Sequence, residues 1–384
     1  MKPSALFVTT VPVTLEAFLL PVADHFRAQG WRVDALANGA TTWERIAGHF
    51  DERFDVAWSR NPLTPSNLVG TPDRIREIVA AGGYDIVHVH TAVAAFVTRY
   101  ALRSVHGRPG GPTVIYTAHG FHFYEDQRAP EHTIFRGMER TAEPWTDYLV
   151  TINQEDFSAS RRLTGTNIDR MRFIPGIGVD TDRFRPDAVP EAAVAAVREE
   201  FQTAPGQFVI VMMAEFSPVK RHDFALQALS AVRDERVVLV LVGEGPLDAD
   251  IRAQVARLGL TDRVRFAGYR RDVPAVLAAC DALLLVSQRE GLNRSVLEAM
   301  ASGRPVFGTD TRGITDAVGT DAGWIVGKHD VAALAAAIDA AAADPAEVAS
   351  RGTAARERVC REFAVDRILT AYEGLYREAL ASRL

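Results

Sequence analysis

The sequence predicts an α/β protein: two doubly wound domains, each on a parallel sheet, facing a central cleft. Three observations carry this. Short Val- and Ile-rich runs alternate with amphipathic segments of helical period, and do so in both halves, which implies right-handed βαβ units. The stretch Pro175–Pro190 breaks the pattern with turn-formers and little apolar periodicity. The 384 residues, 47% hydrophobic and 24% charged, suffice for two cores, since one core stops growing near roughly 250–300 residues. The domains are therefore placed at 1–185 and 186–384.

In the first half, strands are expected at Leu6–Thr9, Arg32–Leu36, Phe54–Trp58, Ile86–His90, Val114–Ala118 and Tyr148–Ile152. Helices are expected at Leu15–Gln29, stopped by Gly30, at Pro72–Ala81 and Ala92–Val105, and from an Asn153 cap to Arg162. The second half repeats the style with strands Phe208–Met213, Val237–Val242, Val264–Phe266, Ala282–Val286 and Pro305–Phe307. Its helices include Leu247–Leu258 and Ser295–Ala301. The Ala-rich tail, Val331–Leu384, reads as helix with breaks near Pro345 and Gly352, its last helix free to pack back on the first domain.

Composition excludes several functions. A net charge of −6, from 43 basic and 49 acidic residues, does not suit nucleic-acid binding driven by global charge. Two cysteines, Cys280 and Cys360, make neither a disulfide framework nor a zinc site, as in a reducing cytoplasm. The apolar run Ala5–Val8 is shorter than the about 7–15 residues of a secretory signal. Val273–Gln288 contains Pro274 and Asp281 and is shorter than the ~20 residues of a span. Contact with the inner membrane face stays open. Arg99 and Arg103 lie one turn apart on an apolar helix, and Arg128, His132, Arg136 and Arg140 recur at helical spacing beside Ile134, Phe135 and Met138. The same pattern also suits a solvated face whose apolar side packs inward.

Open parallel sheets bind ligands beyond the carboxyl ends of their strands, so the loops after strands hold the candidates. After Ala282–Val286, Glu290 and Glu298 form an E-x7-E pair, one on the loop and one a turn inside the following helix. A helix start favours phosphate, and a carboxylate there can accept from a ribose diol. Glu290, with Gly291 allowing close approach, can hold sugar hydroxyls. After Phe208–Met213 come Lys220 and Arg221, cations suited to a diphosphate, although a solvated basic turn also explains them. Only three lysines exist, Lys2, Lys220 and Lys328, which makes one in this loop conspicuous. After Val114–Ala118, His119 precedes Gly120 and can bond a substrate hydroxyl or stabilise charge, although a lone histidine is more often structural. His88 and His90 point to one face of a strand. Gly243–Gly245 and the turn Gly268–Tyr269–Arg270 can approach a ligand or read a base edge, and an ordinary turn explains either equally well. No nucleophile-elbow, phosphate-loop or dinucleotide fingerprint follows a strand, and no Cys or Glu spacing supports a metal.

Taken in order, the Lys220 loop, Gly243-Glu244-Gly245-Pro246, Val264–Gly268, the Arg289–Met300 block and Gly303-Arg304-Pro305-Val306 resemble the retaining family-four glycosyltransferases of the GT-B fold. Tyr116–Tyr124, Ile152–Asp156 and Ile174–Asp180 resemble their bacterial capsule and exopolysaccharide branch. The resemblance implies two Rossmann-like domains, the first for the acceptor and the second for a nucleotide-sugar donor, with UDP as the expected nucleotide. Glu298 would hold the ribose and Lys220 the diphosphate. Glu290 with the amides of Gly291 and Leu292 would hold the sugar, and His119 would sit near sugar and acceptor. No metal or other cofactor is implied. The reaction would be a front-face transfer to a saccharide, lipid-linked or small-molecule hydroxyl. Two departures stand out. Glu215 occupies a position where many members have arginine, leaving Arg221 or Arg294 as the replacement charge. Val13–Phe18 replaces the usual glycine pair after the first strand. A natural-product glycosyltransferase with a soluble acceptor and a nucleotide-sugar 2-epimerase remain alternatives.

Overall fold

The computed structural model describes residues 2–59, 61–123, 131–164 and 168–382. The chain divides into two units, Met1–Ile177 with Asp366–Leu384, and Gly178–Val365. The first unit's described strands are β1 (Ser4–Val8), β2 (Arg32–Ala37), β3 (Arg53–Asp55), β4 (Ile86–His90), β5 (Thr113–Ala118), β6 (Tyr148–Thr151) and β7 (Met171–Phe173), paired in the order β3-β2-β1-β4-β5-β6-β7. The second unit has β8 (Phe208–Met213), β9 (Val237–Val242), β10 (Val264–Gly268), β11 (Ala282–Leu285), β12 (Val306–Thr309) and β13 (Gly323–Val326), ordered β10-β9-β8-β11-β12-β13. Neighbouring strands are parallel throughout. Helices cover both faces, so the central strands β4, β5, β9 and β11 are buried along their whole length.

Four expectations need correction. The boundary falls before Gly178, because the Val179 amide donates to Phe363 and its carbonyl accepts from Val365, both at 2.9 Å. Residues 178–185 therefore belong to the second unit. The helix expected at Leu15–Gln29 starts earlier, at Pro12, so all of Val13–Phe18 is helical, entering through Pro12–Thr14 and a π-helical turn at Leu15–Leu19 before the Leu20–Ala28 helix. Gly352 does not break the tail: the Pro345–Glu362 helix runs through it. A Cβ there would lie 2.3 Å from the Gly303 carbonyl oxygen, so this glycine serves a close approach. The short edge strands β7 and β13 were not expected.

The last helix, Val365–Ala381, lies in the first unit from Asp366 onward. Tyr376 stacks on Phe26 with ring centroids 4.4 Å apart. Thr113 Oγ1 donates to the Ala379 carbonyl at 3.2 Å. Arg99, expected on a basic surface, is 2% exposed. Arg128 lies outside the described residues. Arg103, Arg136 and Arg140 are exposed, whereas Ile134, Phe135 and Met138 are half-buried.

Candidate functional site

In the second unit the strand order reverses between β8 and β11. Their carboxyl-end loops meet at that switch point, the place where such sheets form a ligand crevice. The β8 loop carries Lys220 and the β11 loop carries Glu290. Lys220 Nζ donates to Glu290 Oε1 at 2.7 Å, with the side chains 20% and 10% exposed. The Gln288 amide donates to the Val219 carbonyl at 2.8 Å and locks the loops together. Lys220 and Glu290, 70 residues apart in sequence, thus form a half-buried pair of opposite charges at the ends of adjacent strands.

The Arg294–Ala301 helix starts beside them. Asn293 Oδ1 caps it, accepting from the Ser295 amide at 2.9 Å and the Ser295 hydroxyl at 2.6 Å. Glu298 is 9% exposed, and its Oε1 accepts from Arg294 Nε at 2.7 Å. Burial raises its carboxyl above the usual range, against the opposing pull of Arg294 and the positive charge of Arg183. The Arg221 guanidinium has partners of its own. It donates to the Lys328 carbonyl and lies over the Phe224 ring, 4.4 Å from its centre.

The β10 turn lies on the far side of β9 from the switch point. The Gly268 carbonyl accepts from the Gly243 amide at 2.9 Å. Tyr269 is 63% exposed. Arg270 pairs with Asp272 and Glu200. The structure therefore does not bring Arg270 to the Lys220–Glu290 pair. Gly243 and Gly245 serve packing: Cβ atoms there would lie 2.1 Å from the Ala214 carbonyl oxygen and 2.5 Å from that of Phe216.

In the first unit His119 directly follows β5 and is partly exposed. Its ring stacks on Phe18 with centroids 5.4 Å apart, and burial pushes its imidazole down to about 4. The loop is anchored by Asp156, whose Oδ2 accepts from the Phe121 amide at 3.0 Å and from Asn153 Nδ2 at 2.7 Å. Phe121 and Phe123 stack on each other. Tyr124 lies outside the described residues.

Residues 207–344 match the model for glycosyl transferases group 1, and residues 15–183 match that for glycosyltransferase family 4. A putative glycosyltransferase, EpsD of Bacillus subtilis, is 32% identical over 88% of this chain and 87% of its own. The chain belongs to glycosyltransferase family 4. This glycosyltransferase is also 27% identical, over 60% of its length and 59% of the other's, to a UDP-Gal:alpha-D-GlcNAc-diphosphoundecaprenol alpha-1,3-galactosyltransferase of Escherichia coli. Its fold is that of HepE of Anabaena, solved with UDP and glucose, at a TM-score of 0.81 and 20% identity over 98% of this chain and 100% of that one. The architecture is GT-B.

Three residues of the glycosyltransferase's switch-point region were not singled out from sequence. Arg312 Nε donates to the Glu290 carbonyl at 3.2 Å. Gly313 has a φ of +77°, and a Cβ there would lie 2.1 Å from the Gly291 carbonyl oxygen. Both follow β12, so the rule that searches carboxyl-end loops would have found them. Ser287, in the loop two residues past β11, has its Oγ buried without a hydrogen-bond partner, and the same rule covers it. Among the described residues no group of three or more His, Cys, Asp or Glu side chains is placed to hold a metal. No helix there is long and apolar enough to cross a membrane.

Proposed function

We propose that this glycosyltransferase moves a sugar from a UDP-linked donor to a hydroxyl acceptor in polysaccharide or glycoconjugate assembly, with retention and without a divalent metal. The observation that carries the reading is the Lys220–Glu290 pair at the β8–β11 switch point, one residue short of the Gly291 amide and beside the Arg294–Ala301 helix start. Glu298 accepts the ribose diol. Lys220 exchanges part of its contact with Glu290 for the diphosphate, and Arg312 supplies the cation that Glu215 does not. The freed Glu290 carboxylate and the Gly291 and Leu292 amides hold the sugar hydroxyls. Arg221 and Arg294, the other two candidates for that charge, donate to the Lys328 carbonyl and to Glu298. The strands of a sheet lie about 4.8 Å apart, so a nucleotide extending from β11 past β8 and β9 reaches the Gly268–Tyr269 turn with its base.

In the transfer, the bond from the anomeric carbon to the β-phosphate oxygen breaks and the acceptor oxygen bonds to the same face of that carbon. The acceptor's proton goes to the leaving diphosphate. Fixed cations and a helix start stabilise the charge that develops there. The test is proton NMR of UDP-sugars incubated with hydroxyl acceptors in excess EDTA. The expected product keeps the donor's anomeric configuration and forms at the untreated rate. Inverted product contradicts retention, and loss of turnover restored by magnesium or manganese contradicts the role of Lys220. An epimer formed without acceptor assigns the chain to the epimerases.

A lipid-linked acceptor is supported by the Escherichia coli relative, whose name carries a diphosphoundecaprenol acceptor. Arg136 and Arg140 are exposed cations that an anionic leaflet can attract, each worth about 1 kcal/mol. Cosedimentation with anionic vesicles is expected at low salt, abolished by high salt and by the Arg136→Ala/Arg140→Ala double variant. Absence of binding at any salt assigns the chain a soluble acceptor.

A further inference from the structure

His88 and His90 lie on one face of β4, ring centroids 4.1 Å apart, each 1% exposed. His88 has both ring nitrogens engaged. Nδ1 is 2.7 Å from the Tyr376 hydroxyl and Nε2 is 2.7 Å from the Thr117 hydroxyl. His90 differs. Its Nδ1 is 3.0 Å from His119 Nε2, while its own Nε2 is buried without a hydrogen-bond partner. Nothing in the donor site uses His90.

We propose that His90 is a positioning residue: its Nδ1–H donates to His119 Nε2, holding His119 as the Nδ1–H tautomer, which offers a substrate oxygen a donor and not a basic nitrogen. Two neutral imidazoles at this separation share one hydrogen, so one ring donates and the other accepts. If His119 donated, the proton of His90 would sit on Nε2, a buried N–H with no acceptor. Orphaned buried N–H groups are rarer in folded proteins than under-used acceptors. If His90 donates, its Nε2 carries only an unused lone pair. The doubly protonated form is disfavoured, since burial, then His88 and His119, hold His90 well below its ordinary range.

The surrounding fold keeps this geometry. His90 and Thr117 are register partners on β4 and β5, two residues before His119. Thr91, immediately after His90, has a φ of +63°, uncommon for a β-branched residue, and its hydroxyl is 2.7 Å from that of Thr10. This places His90 beside the β1–β4 reversal, the switch point of the first sheet. The Phe18 ring fixes the plane of His119. His119 makes no other hydrogen bond among the described residues, so Nδ1–H is the donor it presents. The inference rests on the reading that His119 acts in the transfer, and it agrees with the leaving diphosphate taking the acceptor's proton.

The test is a long-range proton–nitrogen correlation spectrum of the nitrogen-15-labelled full chain at neutral pH. His119 is expected to carry its proton on Nδ1 with a bare Nε2. His90→Asn places an amide donor near the original Nδ1 and is expected to keep both that spectrum and the rate of UDP release from UDP-glucose. His90→Leu removes the donor. The His119 proton is then expected to move to Nε2, and kcat to fall about 10-fold with KM unchanged, the effect of one positioned hydrogen bond. Wild-type His119 protonated on Nε2 overturns the proposal, whether or not the variants fold. So does a His90→Leu chain with unchanged tautomer and kcat. A His119→Ala chain at wild-type kcat, with the parent in the Nδ1–H form, upholds the hydrogen bond and overturns instead the reading that puts His119 at the reaction.

Discussion

Glu298→Ala is expected to weaken UDP binding by about 10–150-fold, the roughly 1.5–3 kcal/mol of a hydrogen bond to a charged group. The same variant is expected to melt no lower than the parent. The reason is the sign of the carboxyl's displacement. Burial raises the folded-state value above the unfolded one, and Arg294 and Arg183 only partly offset it. A raised carboxyl contributes stability that is complete below its unfolded value and lost as pH rises through the folded one. Above that folded-state value, the charged Glu298 carboxylate is a net burden on the fold. Its removal strands no buried cation, because the Arg294 side chain is 45% exposed. A buried carboxylate whose charge opposes folding is a candidate functional group. Calorimetric titration with UDP beside thermal melting checks both halves. Unchanged affinity in a folded Glu298→Ala chain removes Glu298 from the site.

The largest stability effect is expected at Arg99. Its Nη2 pairs with Glu139 Oε2 at 2.8 Å, its Nε donates to the Ala95 carbonyl at 3.0 Å, and its Nη1 to Thr146 Oγ1 at 3.2 Å. The Tyr116 hydroxyl donates to Glu139 Oε1 at 2.9 Å, and the guanidinium lies 4.3 Å from the centre of the Tyr116 ring. Glu139 is itself only 8% exposed. Arg99→Leu leaves an uncompensated buried carboxylate, which costs about 3–5 kcal/mol. At about 2–4 °C per kcal/mol for a unit of this size, the midpoint falls by roughly 6–20 °C. The Arg99→Leu/Glu139→Leu double variant is expected to recover much of that loss, since an apolar pair can replace a buried ionic one. Thermal melts of both variants read this out. A single variant within about 0.5 kcal/mol of the parent, the range of ordinary surface changes, would show that the pair carries no such weight.

Arg99 also shows where sequence reasoning stops. Its spacing from Arg103 reads as a basic helix face, yet a tertiary partner 40 residues away turns it inward. The long central strands were legible because burial on both faces leaves unbroken apolar runs, as in Val237–Val242. The three-residue edge strand β7 has no such run. In β13 a Cβ on Gly323 would lie 2.1 Å from the Val306 carbonyl oxygen, so strand pairing there selects a residue that propensity rejects. The placement of the candidate residues was legible for the same reason as the strands, since Lys220, Glu290 and His119 follow strands and Glu298 lies in the first turns of a helix. Their pairings were not. Lys220 meets Glu290, and His90 meets His119, only because β8 adjoins β11 and β4 adjoins β5.

Amide hydrogen exchange of the full chain, with and without saturating UDP in EDTA, tests most directly whether the donor nucleotide sits at the second unit's switch point. UDP is expected to slow exchange in residues 214–222 and 287–298, the two carboxyl-end loops and the helix start they share. Saturating UDP that leaves both segments unchanged, or protects only segments away from the β8–β11 reversal, contradicts that placement.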